Sequence, residues 1–251
     1  MTVAGSIPEV REDALLGGRV RLAQPVRGYR AGMDAALLAA SVAGRPGERV
    51  IEAGCGPGAV LTQIAARCPG VQLAGIEREA EIADLARRNV ETNGLGDRAE
   101  IRSGDVADGF RALDLPPFDW AVSNPPFFDD PGSLRPPAPE RRAAWMADDG
   151  LEAWTGFLLK AVREGGRIVM IHRADRLADI LALLTPRAGS FAIRPIQPFA
   201  DQPAKRVLVQ AIKTGKAPLR LLPPLILHDR AGAPHTVEAE AILRGEAALP
   251  F

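Results

Sequence analysis

Four short apolar runs in the first half of the chain each stop on residues that cannot prolong a strand. This recurrence constrains the fold more than any other feature. Arg49–Ala53 stops on Gly54-Cys55-Gly56-Pro57-Gly58, and the run 71–76 stops on Glu77. Ala99–Ser103 stops on Gly104-Asp105, and Phe118–Ser123 on Asn124-Pro125-Pro126-Phe127. Runs of this length are strand-sized, and the segments between them read as helices at Ala59–Arg67 and 79–93, the second stopped by Asn93-Gly94. Strands that alternate with helices predict an α/β fold with a mostly parallel sheet covered on both faces.

The remaining elements follow the same logic. A turn at Gly17-Gly18 leads into a short strand at 19–22, and a small apolar helix at 31–43 is ended by Gly44 and Pro46. Beyond a Pro-rich loop at 131–139, the sequence predicts a helix at 151–162, a strand at 167–172, a helix at 175–184, and strands at 192–196 and Arg206–Lys213. The tail from Pro218 adds a strand at 225–228 and a helix at 236–243. These elements suggest an N-terminal segment 1–46, a core 47–217 and a C-terminal extension 218–251, within one compact domain.

Composition excludes some classes of function. The 251 residues carry 31 Lys plus Arg against 31 Asp plus Glu, so a nucleic-acid surface has to come from local clusters of Arg. Cys55 and Cys68 have neither zinc-site nor redox-pair spacing, and no metal is expected; a reducing cytoplasm fits two lone thiols. Residues 1–11 hold no apolar segment of the kind a secretory signal needs, and no run approaches the ~20 apolar residues of a membrane span.

In open α/β sheets ligands bind at the carboxyl ends of the strands, where all four stops fall. Glycines at Gly54, Gly56 and Gly58 let the backbone turn sharply and approach a ligand, and the helix they open favours negative charge. A plain strand-to-helix turn would use the same residues. Glu77, nineteen residues beyond Gly58, is placed to accept from both hydroxyls of a ribose, or else to be a solvated member of the charged run 77–81. Asp105 can accept from an adenine amino group or simply cap a turn.

Asn124-Pro125-Pro126-Phe127 is the most specific of the four. A diproline has no N–H groups and cannot continue a ladder. The Asn124 side-chain oxygen and the Pro125 carbonyl together can accept both hydrogens of an –NH2 group. An amine conjugated with a ring is a poor nucleophile. Two acceptors that fix its hydrogens favour a pyramidal nitrogen with its lone pair aimed at an incoming methyl carbon, which is catalysis by orientation and electrostatics. Phe127 would stack on the flat face of the acceptor.

The order of these features resembles the class I S-adenosylmethionine-dependent methyltransferases, a Rossmann-like fold. The segment Arg27-Gly28-Tyr29-Arg30-Ala31-Gly32-Met33-Asp34-Ala35, together with Arg206-Val207-Leu208-Val209, Leu225-Ile226-Leu227-His228 and Thr236-Val237-Glu238-Ala239, is similar to the bacterial tRNA1(Val) adenine-N6-methyltransferases over nearly the whole chain. The resemblance implies a seven-stranded sheet with one antiparallel strand near its edge. It also implies S-adenosylmethionine as cofactor, S-adenosylhomocysteine as product, and methylation of N6 of the adenine 3′ of the anticodon. Glu52, Gly54, Gly56, Gly58, Glu77 and Asp105 would then hold the cofactor, with Gly32, Met33 and Asp34 near its methionine end, and Asn124 to Phe127 would hold the base. Phe127 stands where many relatives have Tyr, and Met33 where Thr is frequent.

Related Asn-Pro-Pro-aromatic motifs occur in guanine-N2 methyltransferases of ribosomal RNA and in glutamine methyltransferases of release factors, so a planar amine or amide nitrogen is implied before any particular substrate. Gly54-x-Gly56-x-x-Ala59 with Glu77 also fits a dinucleotide fingerprint, but a nicotinamide dehydrogenase leaves the Asn-Pro-Pro-Phe motif unexplained. A non-catalytic RNA-binding module would need neither feature. For RNA phosphates the candidates are Arg19, Arg21, Arg27 and Arg30, then Arg135, Arg141 and Arg142 in the loop after the motif, and Lys205 and Arg206. That loop, 128–149, with Trp145 in it, follows the motif directly and is a candidate cover for a flipped base. His172, His228 and His235 are too scattered to suggest a metal.

Overall fold

The computed structural model describes residues 9–26, 31–126, 149–230 and 232–251. Its strands are β1 (Val10–Leu15), β2 (Val20–Pro25), β3 (Arg49–Ala53), β4 (Gln72–Glu77), β5 (Ala99–Ser103), β6 (Phe118–Ser123), β7 (Val162–Arg173), β8 (Ala188–Gln197), β9 (Arg206–Lys213), β10 (Arg220–Leu221) and β11 (Leu225–Ile226). The described helices are α1 (Met33–Ala40), α2 (Ala59–Arg67), α3 (Ala80–Thr92), α4 (Asp149–Ala161), α5 (Leu177–Leu184) and α6 (Val237–Arg244).

The main sheet runs β10-β8-β9-β7-β6-β3-β4-β5, with β11 also paired to β8. Its seven-strand path from β8 to β5 has the expected form, parallel except for β9, which is antiparallel to both β7 and β8. The two-residue strands β10 and β11 extend it to nine, both parallel to β8.

Side chains alternate across a strand, so neighbouring residues feed two separate cores. Val50, Trp120, Val122 and Val169 join the core beneath α1, α2, α3 and α6, whereas Ile51, Ala121, Ile168 and Met170 join the core beneath α4 and α5. Leu37 and Leu38 of α1 are fully buried, and burial of each stabilises by roughly 1.5–3 kcal/mol. Helix ends follow the local chemistry. Gly94, at φ +66°, lets the Gly94 and Leu95 amides close on Glu91 and Val90 after α3, and Thr236 caps α6 by accepting from the Ala239 amide.

β8 begins at Ala188 rather than 192 and β10 is an added two-residue strand; two further regions also differ from the sequence expectation. The strand at 19–22 is half of a hairpin, β1–β2, separate from the main sheet. The sequence does not mark β1, because Val10-Arg11-Glu12-Asp13-Ala14-Leu15 is charged and mostly exposed, without the alternation of a half-buried strand. β7 begins at Val162 rather than 167, because its register against β6 breaks between Phe118 and Trp120, where residues 163–166 bulge around Gly165 at φ +72°. The tail is tied down by arginines: Arg19 donates to the carbonyls of Arg244 and Gly245, and Arg67 to those of Ile242 and Ala247. Two of these, Ile242 and Arg244, belong to the last turn of α6, whose carbonyls have no i+4 amide partner within the helix. No described helix is long and apolar enough to cross a membrane.

Candidate functional site

The pairings Ala53↔Ile76, Glu77↔Ser103 and Ala53↔Ser123 place Gly54, Gly104 and Asn124 just past the carboxyl ends of β3, β5 and β6, with Glu77 as the last residue of β4. Three of the four stops are hydrogen-bonded to one another. The Cys55 amide donates to the Ile76 carbonyl at 2.9 Å and the Gly104 amide to the Glu77 carbonyl at 2.9 Å. Glu77 accepts from the Gly56 amide at 3.0 Å through Oε2 and from the Glu79 amide at 2.9 Å through Oε1. Asp105 accepts from the Ala107 amide at 2.9 Å and so caps a short 3-10 turn. Beside them, the Ser123 hydroxyl donates to the Ala53 carbonyl at 3.1 Å and ties the end of β6 to that of β3.

The glycine loop owes its shape to positive φ angles of +66° at Gly54, +53° at Gly56 and +85° at Gly58. Gly54 has a second reason. A Cβ there would lie 2.3 Å from the Trp154 ring of α4, so the indole lies directly against the loop. Nothing before the fold marks Trp154, which reads as one more apolar residue on a helix.

A pocket is lined by Gly54, Cys55 and Pro57 of the loop, by Ala31 and Ala35, and by Glu52 and Asn124. Glu52 is two residues from Val50 and shares its face, so its carboxyl points under α1 and α2. It is 2% exposed and its Oε2 has no hydrogen-bond partner. Burial, and then the negative charge of Glu77, push its pKa well above the ordinary carboxylate value, with a hydrogen bond from the Leu61 amide pulling the other way. A buried, partly unpartnered carboxyl in a pocket is suited to a cationic ligand group. Burial likewise pushes the Cys55 thiol up, so it is a neutral wall.

Gly32 precedes α1 as an extended N-cap, and Asp34 in the first turn forms an ion pair with Arg206 at 3.0 Å. Arg206 is therefore engaged inside the protein, while its neighbour Lys205 is exposed at the β8–β9 turn. Arg173 and Arg176 stand at the same edge, paired with Asp175 and Asp179, and the Ala174 amide donates to the Lys205 carbonyl. His172 is buried beneath them; burial, then Arg176, Arg173 and Arg206, lower its pKa to about 4. Arg19 and Arg21 lie on the N-terminal side, Arg19 on the tail carbonyls and Arg21 paired with Glu12. Pro125 is buried and Pro126 half-buried. Phe127, Arg27, Arg30, Arg135, Arg141, Arg142 and Trp145 lie outside the described residues. Among the described residues no group of three His, Cys, Asp or Glu is arranged to hold a metal.

Residues 30–134 match the model of the family described as methyltransferase small domain. The chain is 31% identical over 187 residues to a tRNA1(Val) (adenine(37)-N6)-methyltransferase of Porphyromonas gingivalis, a match that covers 71% of this chain and 72% of that protein. A release factor glutamine methyltransferase of Chlorobaculum tepidum is 29% identical over 57% of this chain and 50% of its own length. Among solved structures, an Agrobacterium tumefaciens protein described as an O-methyltransferase superposes with a TM-score of 0.73 at 29% identity, covering 87% of this chain and 99% of that one. A methyltransferase of Thermotoga maritima superposes with a TM-score of 0.52 at 19% identity and shares the fold.

Proposed function

The chain belongs to the class I S-adenosylmethionine-dependent methyltransferases, and on that premise we propose that it methylates N6 of an adenine in tRNA, next to the anticodon, in the cytoplasm. The observation that carries the reading is the Asn124-Pro125-Pro126 strand end, which opens onto the pocket that holds Glu52 and the glycine loop. The P. gingivalis relative, matched over most of both chains, supplies the tRNA adenine.

S-adenosylmethionine supplies an electrophilic methyl group on a sulfonium. The residues present fit it. Its aminoacyl ammonium suits the buried Glu52 carboxyl, its carboxylate suits the loop at Gly54, Gly56 and Gly58 that opens α2, and its ribose hydroxyls suit Glu77. Asp105 and the amide that directly follows it suit the adenine ring. Gly32 and Asp34 flank the methionine end, with the Asp34 carboxylate kept in place by Arg206. The N-terminal segment 1–46 then serves as a cover for this site.

Asn124 and the Pro125 carbonyl accept the two hydrogens of the acceptor –NH2. This would pyramidalise its nitrogen and direct the lone pair at the methyl carbon without a strong base; S-adenosylhomocysteine would leave as the nitrogen–methyl bond forms, and the surplus proton of the methylated amine would pass to water. Phe127 stacks on the base, and the arginines of the segments at 27–30 and 135–142, with Lys205, contact phosphates. An oxygen acceptor, as in the name given to the Agrobacterium protein, has one hydrogen and would leave one of the two acceptors unused.

The release factor relative favours a second reading, methylation of a glutamine amide, which presents the same planar –NH2. Its match spans only half of that protein. Mass spectrometry of nucleosides and of release factors from a strain lacking the gene separates the two. Loss of N6-methyladenosine from one tRNA supports the adenine. An unchanged tRNA with an unmethylated release factor glutamine refutes it.

A further inference from the structure

Asn89 of α3 and Asn93, the residue that caps its C-terminus, lie one turn apart and face β2. Asn89 exchanges two bonds with Ala23: its Oδ1 accepts from the Ala23 amide at 2.8 Å and its Nδ2 donates to the Ala23 carbonyl at 2.8 Å. Asn93 does the same to Arg21, at 3.0 and 2.7 Å. The geometry matches because four helical residues rise about 6 Å and two strand residues about 6.7 Å. The two side-chain amides therefore act as a surrogate strand along the edge of β2 turned away from β1, an edge that needs covering.

The two asparagines differ in their last hydrogen. That of Asn93 returns to the Asn89 carbonyl of its own helix at 2.7 Å. That of Asn89 donates to the Pro57 carbonyl inside the glycine loop at 2.8 Å. Asn89 is 1% exposed, so its one acceptor and both its donor hydrogens are spent on Ala23 and Pro57, and water has little access to replace them. To hold the Pro57 carbonyl is to hold the plane of the Pro57–Gly58 peptide, from which α2 starts.

From Ala23 the clamp continues to a second segment that lines the pocket. The next residue, Gln24, is 2% exposed; its Oε1 accepts from the Ala31 amide at 2.7 Å and its Nε2 donates to Asp13 at 2.9 Å. Pro57 and Ala31 both line the pocket. One buried amide thus touches the glycine loop directly and reaches the pocket-lining segment at Ala31 through two adjacent residues of β2.

We infer that Asn89 is a positioning residue that locks the N-terminal hairpin to the glycine loop, so that cofactor binding and docking of the hairpin are one coupled step. This rests on the reading of that loop as the cofactor's seat. Asn93, at the half-buried cap of that helix, is the control: it makes the same pair of bonds to β2 but none to the loop.

The test compares wild type, Asn89→Ala and Asn93→Ala for S-adenosylhomocysteine affinity by calorimetry and for amide hydrogen exchange in β2 with and without that ligand. Couplings of this kind are worth about 5- to 150-fold. Asn89→Ala is expected to weaken binding about tenfold or more, and Asn93→Ala less than about twofold, even where both lower Tm. In wild type and Asn93→Ala the ligand slows exchange in β2; in Asn89→Ala it does not. Equal affinities for the two variants, or β2 exchange in wild type that ignores the ligand, overturn the inference; the second result needs no variant to fold. Failure of wild type to bind S-adenosylhomocysteine at all overturns instead the reading of the loop beneath it.

Discussion

Glu52→Gln is expected to make the protein more stable and less able to bind its cofactor, and each effect has a separate physical cause. The folded protein holds the Glu52 carboxyl 2% exposed, with one oxygen unpartnered and Glu77 nearby, and its pKa is raised. The unfolded chain releases that proton near the ordinary value of 4.5. A raised folded pKa means the fold binds the proton more tightly, so the carboxyl's contribution is most favourable below the unfolded value and is lost as pH rises through the folded one. The isosteric amide has no such titration, so the Tm advantage of Glu52→Gln should be small at about pH 4.5 and grow as the pH rises above it. Each kcal/mol moves Tm by roughly 2–4 °C in a chain of this length. Cofactor binding should move the other way. A hydrogen bond to a charged group is worth about 1.5–3 kcal/mol, so loss of the carboxylate opposite an ammonium should weaken S-adenosylhomocysteine by about 10- to 150-fold. Thermal scans across pH, with calorimetry at neutral pH, read both effects. A Tm difference independent of pH, or unchanged affinity in the folded variant, would refute the assignment of Glu52 as the buried partner of the cofactor's ammonium.

Asn124→Ala should leave S-adenosylhomocysteine affinity intact and lower single-turnover methyl transfer by about 10²–10³, the worth of one preorganised acceptor at a reacting centre; rates near wild type would remove Asn124 from the chemistry. Gly54→Ala should destabilise by roughly 2–4 kcal/mol, since an alanine at φ +66° is strained and its Cβ overlaps the Trp154 ring. Denaturation with and without Trp154→Leu checks this, because the smaller side chain should recover part of the loss. His172, neutral in the fold with a pKa of about 4 against 6.5 unfolded, should cost the protein roughly 2–3 kcal/mol as pH falls from about 6.5 to about 4. Chemical denaturation of His172→Gln over that range should be flatter, and an identical slope would show that other groups set the acid limit.

The sheet and the carboxyl-edge stops were legible because each reports a local rule. β3, β5, β6, β9 and α2 lie where the apolar runs and their glycine, proline or charge boundaries put them. Gly54 to Gly58, Glu77, Asp105 and Asn124 were legible too, since in a parallel sheet a residue just past a strand is delivered to the binding edge by topology. Local rules do not report what covers what. β1 is charged and exposed and exists by pairing with β2. Arg206 and Asp34, apart by 172 positions, meet only when β9 passes beside α1. Trp154 is an ordinary helical aromatic until α4 lays it on Gly54.

Asn89 sits on a strongly amphipathic helix where a polar residue reads as solvent-facing, and only the tertiary structure sets it against Ala23 and Pro57. The reason is one of range. Periodicity, caps and turn residues act within a few positions of chain, so sequence by itself determines the seven principal strands of the main sheet, their order of chemistry and the chemistry's class. The buried carboxyl, the asparagine clamp and the walls of the pocket are products of burial and of contacts between distant segments, and those quantities come into being only when the chain has closed on itself.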